Sequence, residues 1–116
     1  MAESSHVRWR RENPEAARER DRESNARRRA RVKALLDAAR ANPCVDCGVQ
    51  LPPECMDLDH VRGEKLVNLS VSTAKQVSRA LIDAEIEKCD VRCPNCHRLR
   101  HYHLGDYAER ANGVRP

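Results

Sequence analysis

The chain has 116 residues, with no Phe, one Trp, two Tyr and 34% charged residues. One domain and an extension is the natural division. A compact part of about 70 residues with so few large apolar side chains is marginal by burial alone, which excludes a fold resting on a large apolar core and calls for a staple. The net charge of +4 is uneven, since Arg8 to Arg40 carries 12 Lys/Arg against 6 Asp/Glu and the remainder 10 against 12. Such a basic segment is the footprint of a nucleic-acid-binding arm.

The first twenty residues hold no apolar signal core. No stretch is long and apolar enough to span a bilayer. The expected setting is therefore cytoplasmic, with no membrane role, where thiols stay reduced.

Residues 8 to 41, "RWRRENPEAARERDRESNARRRARVKALLDAARA", are rich in Arg, Ala and Glu and contain no Gly. They predict a long helix. Asn13-Pro14 reads as its start, with Asn as N-cap and Pro first in the helix. Val32, Leu35, Leu36 and Ala39 make an apolar stripe only in the last turns, so only that end should dock on a core. Asn42-Pro43 ends the helix. Met56 to Val61 alternates and predicts a short strand, and Arg62 to Lys65 a turn. "LVNLSVS" fits a second strand or a loop. Residues 73 to 88 fit a helix with Val77, Ala80, Leu81, Ala84 and Ile86 or Lys88 inward. "CDVRC" reads as a short strand. A last helix starts at "CHRLRH", with Gly105 breaking or kinking it. The expected organisation is an Arg-rich helical arm over 1–41, a metal-stapled domain over 42–105 and a short tail over 106–116.

The six cysteines are the candidate staple. Cys44-x-x-Cys47 and Cys93-x-x-Cys96 supply four thiolates in two paired units, the set that tetrahedral Zn²⁺ takes. Gly48 after the second thiol allows the tight turn. One zinc would tie the start of the domain to its last helix, and its binding energy would be folding energy. Disulfides and buried free thiols are the alternatives. Cys55 and Cys89 are left over and read as free buried thiols.

With four cysteines on zinc, His97 and His101 remain, four apart at the start of a helix and so on one face. Asp57, Asp59 and His60 crowd one short strand. Carboxylate plus imidazoles suits a divalent ion such as Mg²⁺, Mn²⁺, Ni²⁺ or Zn²⁺, and a further histidine beside such an ion can serve as a general base. Against this, a polar helix His and an amphipathic Asp-Leu-Asp strand need no function. Strict alternation puts Asp59 and His60 on opposite faces, so both reach one ion only if the strand ends or bulges there. Asp57 shares the face of Asp59. It reads chiefly as a solvated residue, with partnership to a ligand histidine as the other reading.

Cys-x-x-Cys, then "DLDHVRGEK", then "CPNCHRLRH" resembles the HNH endonucleases with a zinc-stapled ββα-metal (His-Me finger) core, over residues 44 to 104. Small phage-encoded and bacterial members share this look. The resemblance implies an α+β fold and a metal-dependent nuclease acting on DNA, double-stranded DNA in particular, in a bacterial cell or phage-infected host. His60 matches the histidine that activates water. Asp59 and His97 match ligands of the catalytic divalent ion, Mg²⁺ or Mn²⁺ with other ions possible. His101 matches a position that is a ligand in some branches. Cys44, Cys47, Cys93 and Cys96 match the structural zinc set. The family's middle Asn, which holds the loop carrying the general base, has no counterpart in "EIEKCDVRC". Asn68 and Asn95 are the candidates to replace it, and Asn95 reads chiefly as a cap within its knuckle.

Phosphate contacts are expected from Arg27, Arg28, Arg29 and Arg31 on the arm and from Arg62, Lys65, Arg98 and Arg100 beside the site. Acids interleave with the arginines, so a solvated helix with internal ion pairs is the bland alternative. Two rivals to the nuclease stand: a non-catalytic zinc-finger module that binds nucleic acid, and an accessory protein of a phage packaging machine whose N-terminal helix binds protein. Oligomeric state stays open.

Overall fold

Pro14 fixes its own backbone angle for a first helical turn, and the residues after it to Arg40 are good helix formers. In the structure, a computed structural model describing residues 2–105, they form one helix, α2 (Pro14–Arg40). The expected tail over 106–116 lies outside the described residues. At 27 residues α2 is about 40 Å long.

The helix is preceded by another, α1 (Ser5–Glu12), capped by Ser4 Oγ, which accepts from Val7 N. This corrects the expected start. Asn13 does not cap α2 with its side chain. Its backbone N–H and its Nδ2 both donate to Trp9 O, closing the end of α1. The chain turns there and α1 meets α2. Arg20 stacks over the Trp9 ring at 4.2 Å, Arg10 pairs with Asp21 and Ala17 is buried.

Only the end of α2 meets the main core. Val32 and Leu36 are buried against Leu69, Ala74, Ile82 and Cys89, with Leu35, Leu58, Val67, Val71, Val77 and Ile86 around them. A second, smaller cluster of Cys44, Met56 and Cys93 forms beside it, flanked by Leu51, Val91 and Cys96. Leu36 has no exposed surface, so Leu36→Ala is expected to cost about 3–5 kcal/mol, read as a fall in thermal or urea midpoint.

Two strands carry the site. β1 (Asp57–His60) and β2 (Cys89–Arg92) are antiparallel, with Asp57 opposite Arg92 and His60 opposite Cys89. The loop before β1 holds a 3-10 turn at Pro53–Cys55. Between the strands the chain makes two short helices, α3 (Val71–Ala74) and α4 (Arg79–Ile86). After β2, α5 (Pro94–His103) packs on both strands. The α+β class, the long N-terminal helix and the two-stranded sheet are therefore as expected.

The middle differs in part from expectation. Of the two readings of "LVNLSVS", the loop is the one observed, and it runs into α3. The single helix over 73–88 is two, because Ser70 and Ser78 each accept a backbone N–H and restart the helix, from Thr73 and Leu81 respectively. The restart at Ser78 sets a different phase. Ile82 and Glu85 are buried, and Ala80, Leu81 and Ala84 are exposed.

Candidate metal centres

Two groups of metal-binding side chains come together among the described residues. The first is the four thiols of Cys44, Cys47, Cys93 and Cys96. Cys44 follows α2 and closes a tight turn, its backbone accepting from Gly48 N at 2.9 Å and donating to Val49 O at 2.8 Å. Gly48 sits at φ 77°, a left-handed conformation that a side chain would strain. Cys93 is the N-cap of α5, its Sγ accepting from Cys96 N, so one helical turn brings both sulfurs of that unit to the same place.

All four sulfurs lie within 4.8 Å of one another, and Cys47 Sγ is 3.8 Å from Cys93 Sγ. Tetrahedral zinc with bonds of about 2.3 Å has sulfur–sulfur edges of about 3.8 Å. The group can thus hold a metal ion such as zinc with little movement. Burial pushes the Cys44 thiol up, but the backbone N–H groups of Cys47, Cys93 and Asp46 outweigh it and bring the thiol down to about 6. Cys96 is pushed up, first by hydrogen bonding with Cys93 and then with Cys47. An ion bound by the four thiolates would displace their protons.

The cysteine group is tied to the sheet. Val45 N donates to Val91 O at 3.0 Å. Arg92, buried, reaches from β2 to Asp46 at 2.8 Å and to Asp59 at 2.9 Å. Of the remaining cysteines, Cys89 is a buried free thiol, pushed up to about 11 by burial and by the charges of Glu85 and Asp59. Cys55 is free but exposed, which corrects its expected burial. It stands in the 3-10 turn, outside both core clusters.

The second group is Asp59, His97 and His101, again with ligand atoms within 4.8 Å. Asp59 comes from the middle of the sheet and is 3% exposed. His97 and His101 stand one turn apart on α5. The Nε2 atoms of the two histidines are 3.1 Å apart, and Asp59 Oδ1 lies 3.4 Å from the first and 3.7 Å from the second. Ligands about 2.1 Å from one ion are separated by about 3.0 Å at right angles and about 3.4 Å in a tetrahedron. The three atoms therefore fit around one ion.

Asp57 is not simply solvated, as the sequence had suggested. Its Oδ2 is 2.9 Å from His97 Nδ1. A carboxylate there accepts the hydrogen bond of Nδ1–H and leaves Nε2 facing Asp59 and His101 as an acceptor. Arg92 and Arg100 also contact Asp59, the latter at 3.1 Å. Asp59 is thus a buried carboxylate neutralised by two guanidinium groups, the arrangement that such burial requires.

His60 does not join this group. β1 ends at His60 without a bulge, and its pairing with β2 stays regular. The side chains of Asp57 and Asp59 contact α5. Those of Leu58 and His60 turn to the other side, and His60 Nε2 meets Glu85 Oε2 of α4 at 3.1 Å. Glu85 also accepts from Lys88 Nζ at 2.9 Å and from Leu66 N at 3.3 Å. The Lys88 bond, against the cost of burial, holds its carboxyl below the usual range. Sequence reading missed Glu85, Arg92 and Asp46. The signal for Glu85 was the helix restart at Ser78, which puts Ile82, Glu85 and Ile86 on one helical face.

The basic residues divide by what they touch. Arg62 is engaged by Asp90, Glu87 O and Cys89 O, and Arg100 by Asp59. Lys65 and Arg98 are exposed. On α2, Arg22 pairs with Glu19, as interleaved acids suggested. Arg27, Arg28, Arg29 and Arg31 are exposed and have no carboxylate partner among the described residues. Arg28 and Arg31 line an open groove of about 500 Å³ with Lys75, Gln76, Val77 and Ser78. No helix among the described residues is long and apolar enough to cross a membrane.

Comparison with protein-family models, with curated proteins and with solved structures gave no match for this chain.

Proposed function

We propose that the protein is a metal-dependent endonuclease of the HNH type, hydrolysing phosphodiester bonds of DNA, with Zn²⁺ in the four-cysteine group. In this reading β1, β2 and α5 are the ββα-metal core. The observation that carries it is the convergence of Asp59, His97 and His101 on one point beside a four-thiol group, with His60 next in the strand. A divalent ion such as Mg²⁺ or Mn²⁺ held by these three would neutralise charge on the scissile phosphate. Asp57 orients His97, and Asp46 and Arg92 link the cysteine turn to Asp59, so the cysteine group fixes the position of the ligand set. Arg100 stands at Asp59 and is half-buried, within reach of an incoming phosphate. His60 is the candidate base that takes a proton from water.

The test is nicking of supercoiled plasmid by the full chain with Mg²⁺ or Mn²⁺. Wild type is expected to nick, and His60→Ala to lose at least about 100-fold in rate, the usual worth of a general base. A wild type inert with every divalent ion ends the enzyme reading.

A second reading has an observation of its own. Asp59 is already neutralised by Arg92 and Arg100, and His60 faces α4, as in a zinc-finger module that binds nucleic acid without cutting it. Both readings give the arm the same work. Arg28, Arg31 and Lys75 converge on one groove, so charge removal there should weaken DNA binding more than removal of Arg29. With Arg28→Ala and Lys75→Ala together, the slope of log K against log salt is expected to fall by about 2, roughly one for each phosphate no longer neutralised. An unchanged slope would argue against phosphate contact at this groove.

A further inference from the structure

We propose that Glu85 is the positioning residue for His60, holding the ring through Nε2 so that Nδ1 is the atom that takes the proton from the attacking water. This deepens the nuclease reading and rests on it.

A carboxyl group that is 1% exposed needs several partners to stay in place. Glu85 has a cation, a ring nitrogen and a backbone N–H: Lys88 Nζ at 2.9 Å, His60 Nε2 at 3.1 Å and Leu66 N at 3.3 Å. Paired with Lys88, it is a carboxylate and accepts only. The His60 nitrogen facing it is therefore the donor. A neutral ring with its proton on Nε2 has its lone pair on Nδ1.

The same group holds the chain that leaves His60. Lys88 Nζ donates to Glu64 O at 2.8 Å. Lys88 O accepts from Val61 N at 2.9 Å and Arg62 N at 3.1 Å. Residues 61 to 66 are thus anchored at both ends to the end of α4. Holding this loop is the work for which the sequence offered no Asn in "EIEKCDVRC". Neither of the expected replacements takes up that work: the described side-chain partner of His60 is Glu85, not Asn68 or Asn95.

In the hydrolysis, a water O–H bond breaks as its oxygen bonds phosphorus, and the proton passes to His60 Nδ1. The P–O3′ bond breaks, its electron pair goes to O3′, and O3′ takes a proton from solvent. The ring returns its proton to solvent. Glu85 stays ionised throughout, steadying the charged ring and preventing it from turning over.

The experiment uses the full chain loaded with zinc. ¹⁵N spectra of labelled histidine at pH 8, assigned with His60→Asn, report which His60 nitrogen carries the proton. The expected wild-type result is Nε2–H. Plasmid nicking with Mn²⁺ is expected to fall about 100-fold in kcat for Glu85→Gln, with KM within about 2-fold. Nδ1–H in the wild type overturns the proposal, as does a folded Glu85→Gln that nicks at the wild-type kcat. Should Glu85→Gln not fold, the wild-type spectrum decides alone. A wild type that nicks nothing overturns the nuclease reading and this one with it. An active wild type with an unaffected Glu85→Gln overturns this one only.

Discussion

Cys96→Ser is expected to leave the protein without zinc and without its folded domain. Apparent binding free energies of about 10–16 kcal/mol for structural zinc match or exceed the whole stability of an ordinary domain, about 5–15 kcal/mol. Here the apolar alternative is small. The main core consists of Val32, Leu36, Leu69, Ala74, Ile82 and Cys89, with no aromatic residue among them. The other cluster contains two of the thiols themselves, Cys44 and Cys93. With one ligand of four removed, the turn after α2 is held toward the start of α5 chiefly by the Arg92–Asp46 pair and the Val45–Val91 backbone bond. Circular dichroism should lose the shorter helices and keep part of α2, and metal analysis should find less than one zinc per chain. Chelation of the wild type should do the same. A chain that stays folded after chelation would contradict the structural zinc.

His97→Ala should behave in the opposite way. Its side chain is 29% exposed and belongs to neither core cluster, and its loss leaves Asp59 paired with Arg92 and Arg100. The variant should fold with one zinc and with stability within about 1 kcal/mol of wild type. Nicking with Mn²⁺ should drop by at least about 100-fold if the proposed function holds, because one of the three proposed ion ligands is gone. A His97→Ala protein that nicks at the wild-type rate would remove His97 from the ion's ligands.

Motif spacing was legible where one backbone element sets the geometry. Two-residue spacers bring paired thiols together, and a four-residue step puts His97 and His101 on one helix face, so both groupings could be read before any fold was known. The apolar stripe at the end of α2 likewise named Val32 and Leu36. What was not legible depended on restarts and on long-range partners. Ser78 begins a new helix and rotates its buried face to Ile82 and Glu85, away from Leu81. Asn13 closes α1, a helix the sequence reading began too late to see. The partner of Asp57 is forty residues on, at His97, and no local pattern announces it. Alternation did place Asp59 and His60 on opposite sides, and the regular pairing through His60 leaves no bulge to bring both toward one ion. Glu85 is the partner on that second face.

At the centre of the proposed function, "CPNCHRLRH" divides into two half-sites, Cys93 and Cys96 for one ion and His97 and His101 for another. Native mass spectrometry of the full chain, titrated with Mn²⁺, tests this division most directly. Wild type is expected to retain one zinc from purification and to gain one further ion. In His97→Ala the second gain should be lost while the zinc stays. A wild type that gains no second ion, or a His97→Ala chain that gains it as readily, would contradict the two-ion division.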